Sequence, residues 1–598
     1  MSTHGKRKGR IVQLAVLSVA ALTTVAMLTS TSSAAAPTFT KDKHAAAKAD
    51  KSKHKKDKFV DLQILALNDF HGQLEPSTSS RAPVDGVPAT GAEYLATHLK
   101  QLRAEAKRSG AKSVTVAAGD LIGATPLLSA AFHDEPTVEA MNEMGLEISS
   151  VGNHEFDEGW RELLRMQKGG CIDDGDGADN QNSCPDGRFE GADFQYLAAN
   201  VFHEDSGKTV LPGTVIEKYR GEKVGFIGMT LENTPNIVTK AGVEGLEFTD
   251  EVETANRAVR DLKRKGVESI VVLMHEGGFP TGGYNDCPGL SGPIQEINAG
   301  LSAEIDAVVT GHTHQAYNCS LDDPQGNPRL VTSSSSIGRL VTDIDLRINK
   351  RSGEIDRASA VADNVIVSQD VPKSSVLTRL IAKYKELVAP IESKVIGHLA
   401  GGSTAITRAA DVSGESPLGN LIADSQKADP SIVTGGKAIE IAFMNPGGIR
   451  DDLVANAAGE VTYGAAFTTQ PFNNYDVSMD LTGSQILALL EQQWSGLNSV
   501  SSPKILQVSG IEYAYRAAPA LPRVVRSSVL VNGQPLVDAQ VYRVTANSFL
   551  SDGGDGFGVF ADGTDKFFGG LDIDALAAYL AANDPYTAQG TDRIDRIE

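Results

Sequence analysis

Five times in the first half of the chain, a short apolar, β-rich run stops at residues of the types that can bind metal ions. Residues 60–67 lead into Asn68-Asp69-Phe70-His71-Gly72, and residues 114–118 into Gly119-Asp120. The approach Leu146, Ile148, Val151 ends in Gly152-Asn153-His154-Glu155-Phe156-Asp157. Residues 269–274 run into His275-Glu276-Gly277-Gly278, and residues 305–309 into Thr310-Gly311-His312-Thr313-His314. Stretches that read as helices, 91–108 and 251–265, lie between them. Strands alternating with helices predict an α/β domain, and in such sheets sites gather beyond the strand ends. One such cluster alone reads as a polar loop with a helix N-cap. Repeated behind successive strands, it constrains fold and chemistry together.

Asp69, His71, Asp120, Asn153, His275, His312 and His314 supply two carboxylates, one amide and four imidazoles. A single octahedral ion cannot use them all, whereas two ions sharing a carboxylate can. Mixed nitrogen and oxygen ligands suit zinc, manganese, iron or cobalt better than calcium or sodium. Two metals side by side clamp a phosphate ester and supply hydroxide near neutral pH.

The chain has 598 residues, more than one core supports, so at least two large domains are expected. A helical stretch at 376–388, inside a connector at 371–395, divides residues 59–370 from 396–598. The second part has its own helices and strands and two Gly-rich loops, 445–450 and 551–557. The formal charge of −21 argues against a nucleic-acid polymer as partner, but not against a local cationic pocket for a small anion. Lys6, Arg7, Lys8 and Arg10, an apolar stretch at 11–28 and small residues at 32–36 read as a signal peptide over 1–36. Residues 37–58 read as a Lys/Ala-rich tether that can rest on an anionic cell envelope. No later stretch has the length of a membrane span, so the expected location is extracellular or at the envelope. Pairing the four cysteines by proximity gives Cys171–Cys184 and Cys287–Cys319. The alternating aspartates at 173–179 suggest calcium, although Pro185 stands where an EF-hand needs its last glutamate.

Asp69-x-His71, Gly119-Asp120, Gly152-Asn153-His154-Glu155, His275 and Gly311-His312-x-His314 resemble, block for block, the calcineurin-like metallophosphoesterases. Asn445-Pro-Gly-Gly-Ile-Arg450, Gln470-Pro-Phe-Asn-Asn474 and Gly553-Gly-Asp-Gly-Phe557 resemble the C-terminal domain of secreted 5′-nucleotidases and UDP-sugar hydrolases. The resemblance covers residues 59–598. It implies a four-layer αββα metallophosphoesterase domain, a connector helix and a C-terminal α/β domain that binds the nucleotide. It further implies that Asp69, His71 and His314 hold a first divalent metal, that Asp120 bridges, and that Asn153, His275 and His312 complete the second. His154 stabilises the reacting phosphate or protonates the leaving oxygen, with Asp157 orienting its ring. Arg408, Asn445 and Arg450 hold the phosphate or its neighbours, Gly447 and Gly448 let the backbone approach the ligand, and Asn420 reaches the pocket. Phe472 and Phe557 sandwich the base.

The implied activity is release of phosphate from nucleoside 5′-monophosphates by in-line attack of a metal-bound hydroxide. Its rivals are a 2′,3′-cyclic-nucleotide phosphodiesterase with 3′-nucleotidase activity, a UDP-sugar pyrophosphatase, and, from another class, a nucleotide-binding surface protein without turnover. Metals and base contacts fall on opposite sides of the connector, which predicts a hinge there, with Gly397 and Gly401-Gly402 as flexible points.

Overall fold

The computed structural model describes residues 58–77, 82–172, 182–518 and 520–598. The signal-peptide reading, nearly all of the tether and the acidic stretch 173–179 lie outside the described residues. In chain order the strands of the two large sheets of the first half are β1 (Phe59–Leu67), β2 (Lys112–Ala118), β3 (Ile148–Ser150), β4 (Gln195–Leu197), β5 (Thr214–Tyr219) and β6 (Glu222–Thr230). β7 (Ser269–His275), β8 (Ala307–Thr310), β9 (Ala316–Asp322), β10 (Pro328–Ser334), β11 (Leu340–Asn349) and β12 (Val361–Ile366) follow. They form two six-stranded sheets, ordered β12-β11-β1-β2-β3-β4 and β9-β10-β8-β7-β6-β5.

The runs are apolar on both faces because both faces are covered. Ile64, Val116 and Leu346 of one sheet meet Phe226, Leu273 and Val309 of the other in a shared core. Helix α1 (Ala92–Ser109) covers the outer face of the first sheet through Leu95 and Leu99, and α2 (Glu251–Arg264) covers the second through Val259 and Leu262. The layers are therefore helix, sheet, sheet, helix. Both helices have local boundary signals: α1 stops at Gly110 in the left-handed region, and the Asp250 side chain caps α2 by accepting from Glu253 N–H. β1, β2 and β3 run parallel, as do β6, β7 and β8, so their C-terminal ends emerge together.

Helix α3 (Ser375–Glu392) is the connector. It is pinned to the first half by Tyr384 Oη on Glu139 (3.1 Å) and Lys385 Nζ on Glu75 (2.6 Å). Gly397 is no flexible point: it sits in the strand Val395–His398 opposite Val461, and a Cβ there would meet Leu580 at 3.2 Å. Gly401 and Gly402 are exposed, at φ 68° and 76°, with open space around them.

The second half has α4 (Pro417–Ala428), capped by Ser416, and a five-stranded sheet. Its strands are β13 (Ile441–Met444), β14 (Tyr475–Thr482), β15 (Gln507–Ser509), β16 (Val541–Asn547) and β17 (Thr564–Leu571), in the order β15-β13-β16-β14-β17. Helix α5 (Asp572–Ala582) follows. Both proximity disulfides are formed. No described helix is long and apolar enough to cross a membrane.

Candidate active site

The turn after each strand end carries its side chains inward. Asp69, His71, Asp120, His312 and His314 all have positive φ, between 47° and 69°. Non-glycine residues held there are uncommon and cluster where function fixes the backbone. Glycine makes the close approach feasible: a Cβ on Gly152 would lie 2.2 Å from Asp120 Oδ1. Glu155 ties the tips together, its carboxylate accepting from the N–H groups of Asp120 (2.9 Å), Leu121 (2.8 Å) and Gly152 (2.5 Å).

All seven proposed ligands converge. Asp69, His71 and His314 offer ligand atoms that lie within 4.8 Å of one another, as do Asp120, His275 and His312. Asp120 and His71 also stand together with His154, which makes Asp120 the carboxylate common to two groups. Asn153 Oδ1 lies 3.1 Å from His312 Nδ1. His71 Nδ1 donates to Gly123 O (2.9 Å) and His275 Nδ1 to Ala118 O (2.7 Å). Those bonds turn both Nε2 atoms toward the carboxylates, the usual second-layer control of a ligating histidine.

His275 Nε2 is buried, 2.9 Å from Asp120 Oδ2, without hydrogen-bond alignment or another partner. Burial opposes charging His275, but Asp120 outweighs burial and pulls its pKa up to about 10; a metal ligated by Nε2 would take the place of that proton. Burial, with His275 and His314 adding to it, pushes His312 down to about 3. Burial likewise holds His71 and His314 well below the ordinary histidine value, in the neutral form a metal requires. Asp120 stays ionised: burial opposes it, and His275 and His154 outweigh burial. These donors fit two divalent cations of the zinc, manganese, cobalt or iron class.

His154 is different. Its Nδ1 is engaged by Asp157 Oδ2 at 2.7 Å, and its backbone N–H donates to Asp120 Oδ1 at 2.9 Å. Burial disfavours its cation, yet Asp157 and Asp120 together raise its pKa. Its ring stacks on Phe472 from the second half, with centroids 5.7 Å apart and planes 27° from parallel. Arg450 lies over the same Phe472 ring at 5.7 Å, and Arg408 Nη1 donates to Arg450 O at 3.2 Å.

Two cavities meet at this point. The larger, about 760 Å³, has His71, Asp120, His154, His312 and His314 on one wall and Arg408, Gly447 and Arg450 on the other. The smaller, about 180 Å³, sets Asn153, His154 and Asp157 opposite Asn445, Gly447, Gly448, Arg450, Phe472 and Phe549. Asp555 and Lys504 also line it; Asn445 Nδ2 donates to Asp555 Oδ2 at 2.8 Å, and Lys504 pairs with the other oxygen.

Residues 62–316 match the calcineurin-like phosphoesterase family, and residues 395–562 match the 5′-nucleotidase C-terminal domain. The chain belongs to the calcineurin-like phosphoesterases that carry a 5′-nucleotidase C-terminal domain. It is 30% identical over 503 residues to endonuclease YhcR of Bacillus subtilis, and 32% identical over 531 residues to cell wall protein Lmo0130 of Listeria monocytogenes. These matches cover 82% and 84% of the chain, but only 37% and 64% of those longer proteins. The 5′-nucleotidase precursor of Thermus thermophilus superposes with a TM-score of 0.70 at 27% identity, covering 90% of this chain and 99% of that one.

Two expectations for this phosphoesterase need correction. Phe557 does not line either cavity: it is fully buried in the core of the second half, among Phe443, Leu550 and Phe560. Phe549, not Phe557, lines the smaller cavity together with Phe472. Asn420 is also internal, its Nδ2 bonded to Glu415 (2.6 Å) and to Gly590 O (3.0 Å). The sequence reading missed Asn68, whose amide donates to Asp69 Oδ2 at 2.7 Å and accepts from Ser334 N–H at 2.8 Å. Its place beside a ligand was the available signal.

Proposed function

We propose that this phosphoesterase releases phosphate from nucleoside 5′-monophosphates. The observation that carries this reading is a cavity lined by both Phe472 and Phe549 whose wall also includes Asn153, His154 and His312 of the ligand cluster. A base has a π-face that two phenylalanines can sandwich, and the adjoining ligand cluster is where its phosphate would reach. Asp69, His71, His314, Asp120, Asn153, His275 and His312 would hold two divalent metals. When bound, these would supply Lewis-acid polarisation of the phosphoryl oxygens and lower the pKa of water. Arg408 and Arg450 face the incoming phosphate with planar, permanently charged forks. His154, its pKa raised and its Nδ1 held by Asp157, presents Nε2 as a proton donor for the leaving 5′-oxygen. Asp555 lines the same cavity, and its carboxylate would accept from ribose hydroxyls.

A second substrate class has its own support. The larger cavity runs past the ligands to Tyr284, Gln315 and Arg339, which leaves room for a group on the far side of the phosphorus, as in a nucleoside diphosphate ester. Two disulfides and the signal-like N-terminus support action outside the cytoplasm. A panel of AMP, 3′-AMP, 2′,3′-cyclic AMP, UDP-glucose and ATP, with and without chelator, tests the assignment. AMP turnover abolished by chelator and restored by manganese or zinc is the expected result. Turnover confined to the cyclic or 3′ substrates would overturn it.

A further inference from the structure

Behind the loop that carries Phe472 lies a cluster of buried side-chain oxygens that the proposed reaction does not use. Asp476, on β14, is fully buried, and neither carboxylate oxygen has a hydrogen-bond partner. Asp572, the first residue of α5, is 1% exposed; its Oδ2 accepts from Gln470 Nε2 at 3.3 Å, and its Oδ1 has no partner. Gln470 is itself 1% exposed, and its carbonyl Oε1 is unpartnered. The local chain path holds the three together. Tyr475 pairs with Leu571 across β14 and β17, and Asp572 N–H donates to Asn474 O at 2.8 Å. The charges that bear on Asp476 are those of Asp572 and Asp429, both negative.

We propose that Asp476, Asp572 and the Gln470 carbonyl form a binding site for a calcium-class divalent cation. Asp572 has donors in Gln470, the Asn474 side chain and the Ile573 N–H, but Asp476 has none, and no positive charge faces either carboxylate; burying charge in that way is among the costliest arrangements a core can hold. Every unsatisfied atom here is an oxygen and an acceptor, the ligand set of a hard cation rather than of zinc. A monovalent ion would leave half the carboxylate charge unbalanced. Magnesium demands a near-ideal octahedron and keeps several waters, whereas calcium accepts irregular carboxylate and amide oxygens. The rival is a proton-carrying pair: burial above all pushes Asp572 up to about 8 and Asp476 well above the carboxylate range. The cation would brace residues 470–476 from behind and so fix the loop from which Phe472 reaches His154.

The test uses the full chain, loaded with its transition metals, with calcium chloride as probe. Bound calcium is measured by elemental analysis after desalting, and Tm is followed against added calcium, for wild type, Asp476→Asn and Gln470→Met. Wild type is expected to retain a calcium ion that Asp476→Asn lacks, with equal zinc or manganese in both. Its Tm should rise with calcium while that of Asp476→Asn does not. Comparison with the variants cancels any calcium held by the acidic stretch at 173–179. If Asp476→Asn fails to fold, Gln470→Met keeps both aspartates and should still need more calcium than wild type for the same rise. Equal calcium content and equal calcium dependence in wild type and variants would overturn the site. So would an Asp476→Asn protein that is at least as stable as wild type with or without calcium, which is the behaviour of the shared proton.

Discussion

His154 sits one residue from a proposed ligand and shares a cluster with two others, yet its Nδ1 is held by Asp157 at 2.7 Å, which leaves the ring poised for proton transfer. Replacing it should therefore separate chemistry from metal binding. His154→Ala should lower kcat about 10²–10⁴-fold while metal content stays at the wild-type level; loss of metal would make it a ligand instead. The aromatic residues separate in the same way. Phe549→Ala should weaken nucleotide turnover by roughly 1–3 kcal/mol of lost stacking and change p-nitrophenyl phosphate hydrolysis less. Phe557→Ala should act on the fold, lowering stability by about 3–5 kcal/mol in denaturant titration. The sequence could not choose between them. Both flank one Gly-rich loop, and the chain direction there is set by Gly553 at φ 88° and Asp555 at φ 57°, which no spacing rule reveals.

The strand ends were legible because each ligand follows its own strand within a few residues, so local pattern and site coincide. Asp69, Asp120, Asn153, His275 and His312 all lie where an α/β sheet delivers them. What sequence could not show is how closely the ends approach. The space belongs to glycines: a Cβ on Gly119 would meet Gly152 N at 2.5 Å, and one on Gly152 would meet both Asp120 and His275. Gly152→Ala should therefore cost metal and turnover together while leaving the circular dichroism of the sheets in place; a variant with full metal content would refute the steric argument. The cluster behind the Phe472 loop was illegible for a related reason. Gln470 and Asp572 are 102 residues apart, and neither belongs to a recognisable spacing.

At the scale of the whole molecule the proposed base-binding and metal-binding walls come from opposite halves, and in this structure they are in contact through His154 and Phe472. A nucleotide reaching the ligands would pass between them, and the prediction is that the halves part and close with each turnover. The path of the chain locates the pivot. Helix α3 is pinned to the first half as far as Lys385, and Val395–His398 is already paired with Glu460–Thr462 of the second. Ser393 and Lys394 lie between helix and strand, with Lys394 O already accepting from Tyr463 N–H at 2.8 Å, so the predicted pivot falls at Ser393, where the helix ends. No described cysteine is free, which allows spin labels to be placed at will. Lys107→Cys on α1 and Val412→Cys, both exposed, put a label on each half. Pulsed dipolar spectroscopy should find two distance populations without ligand and one with a non-hydrolysable AMP analogue plus metal, since only the closed form offers contacts from both walls. A single distance, unmoved by the analogue in a protein that still turns over AMP, would mean that substrate enters a fixed cleft and that the contact between His154 and Phe472 never opens.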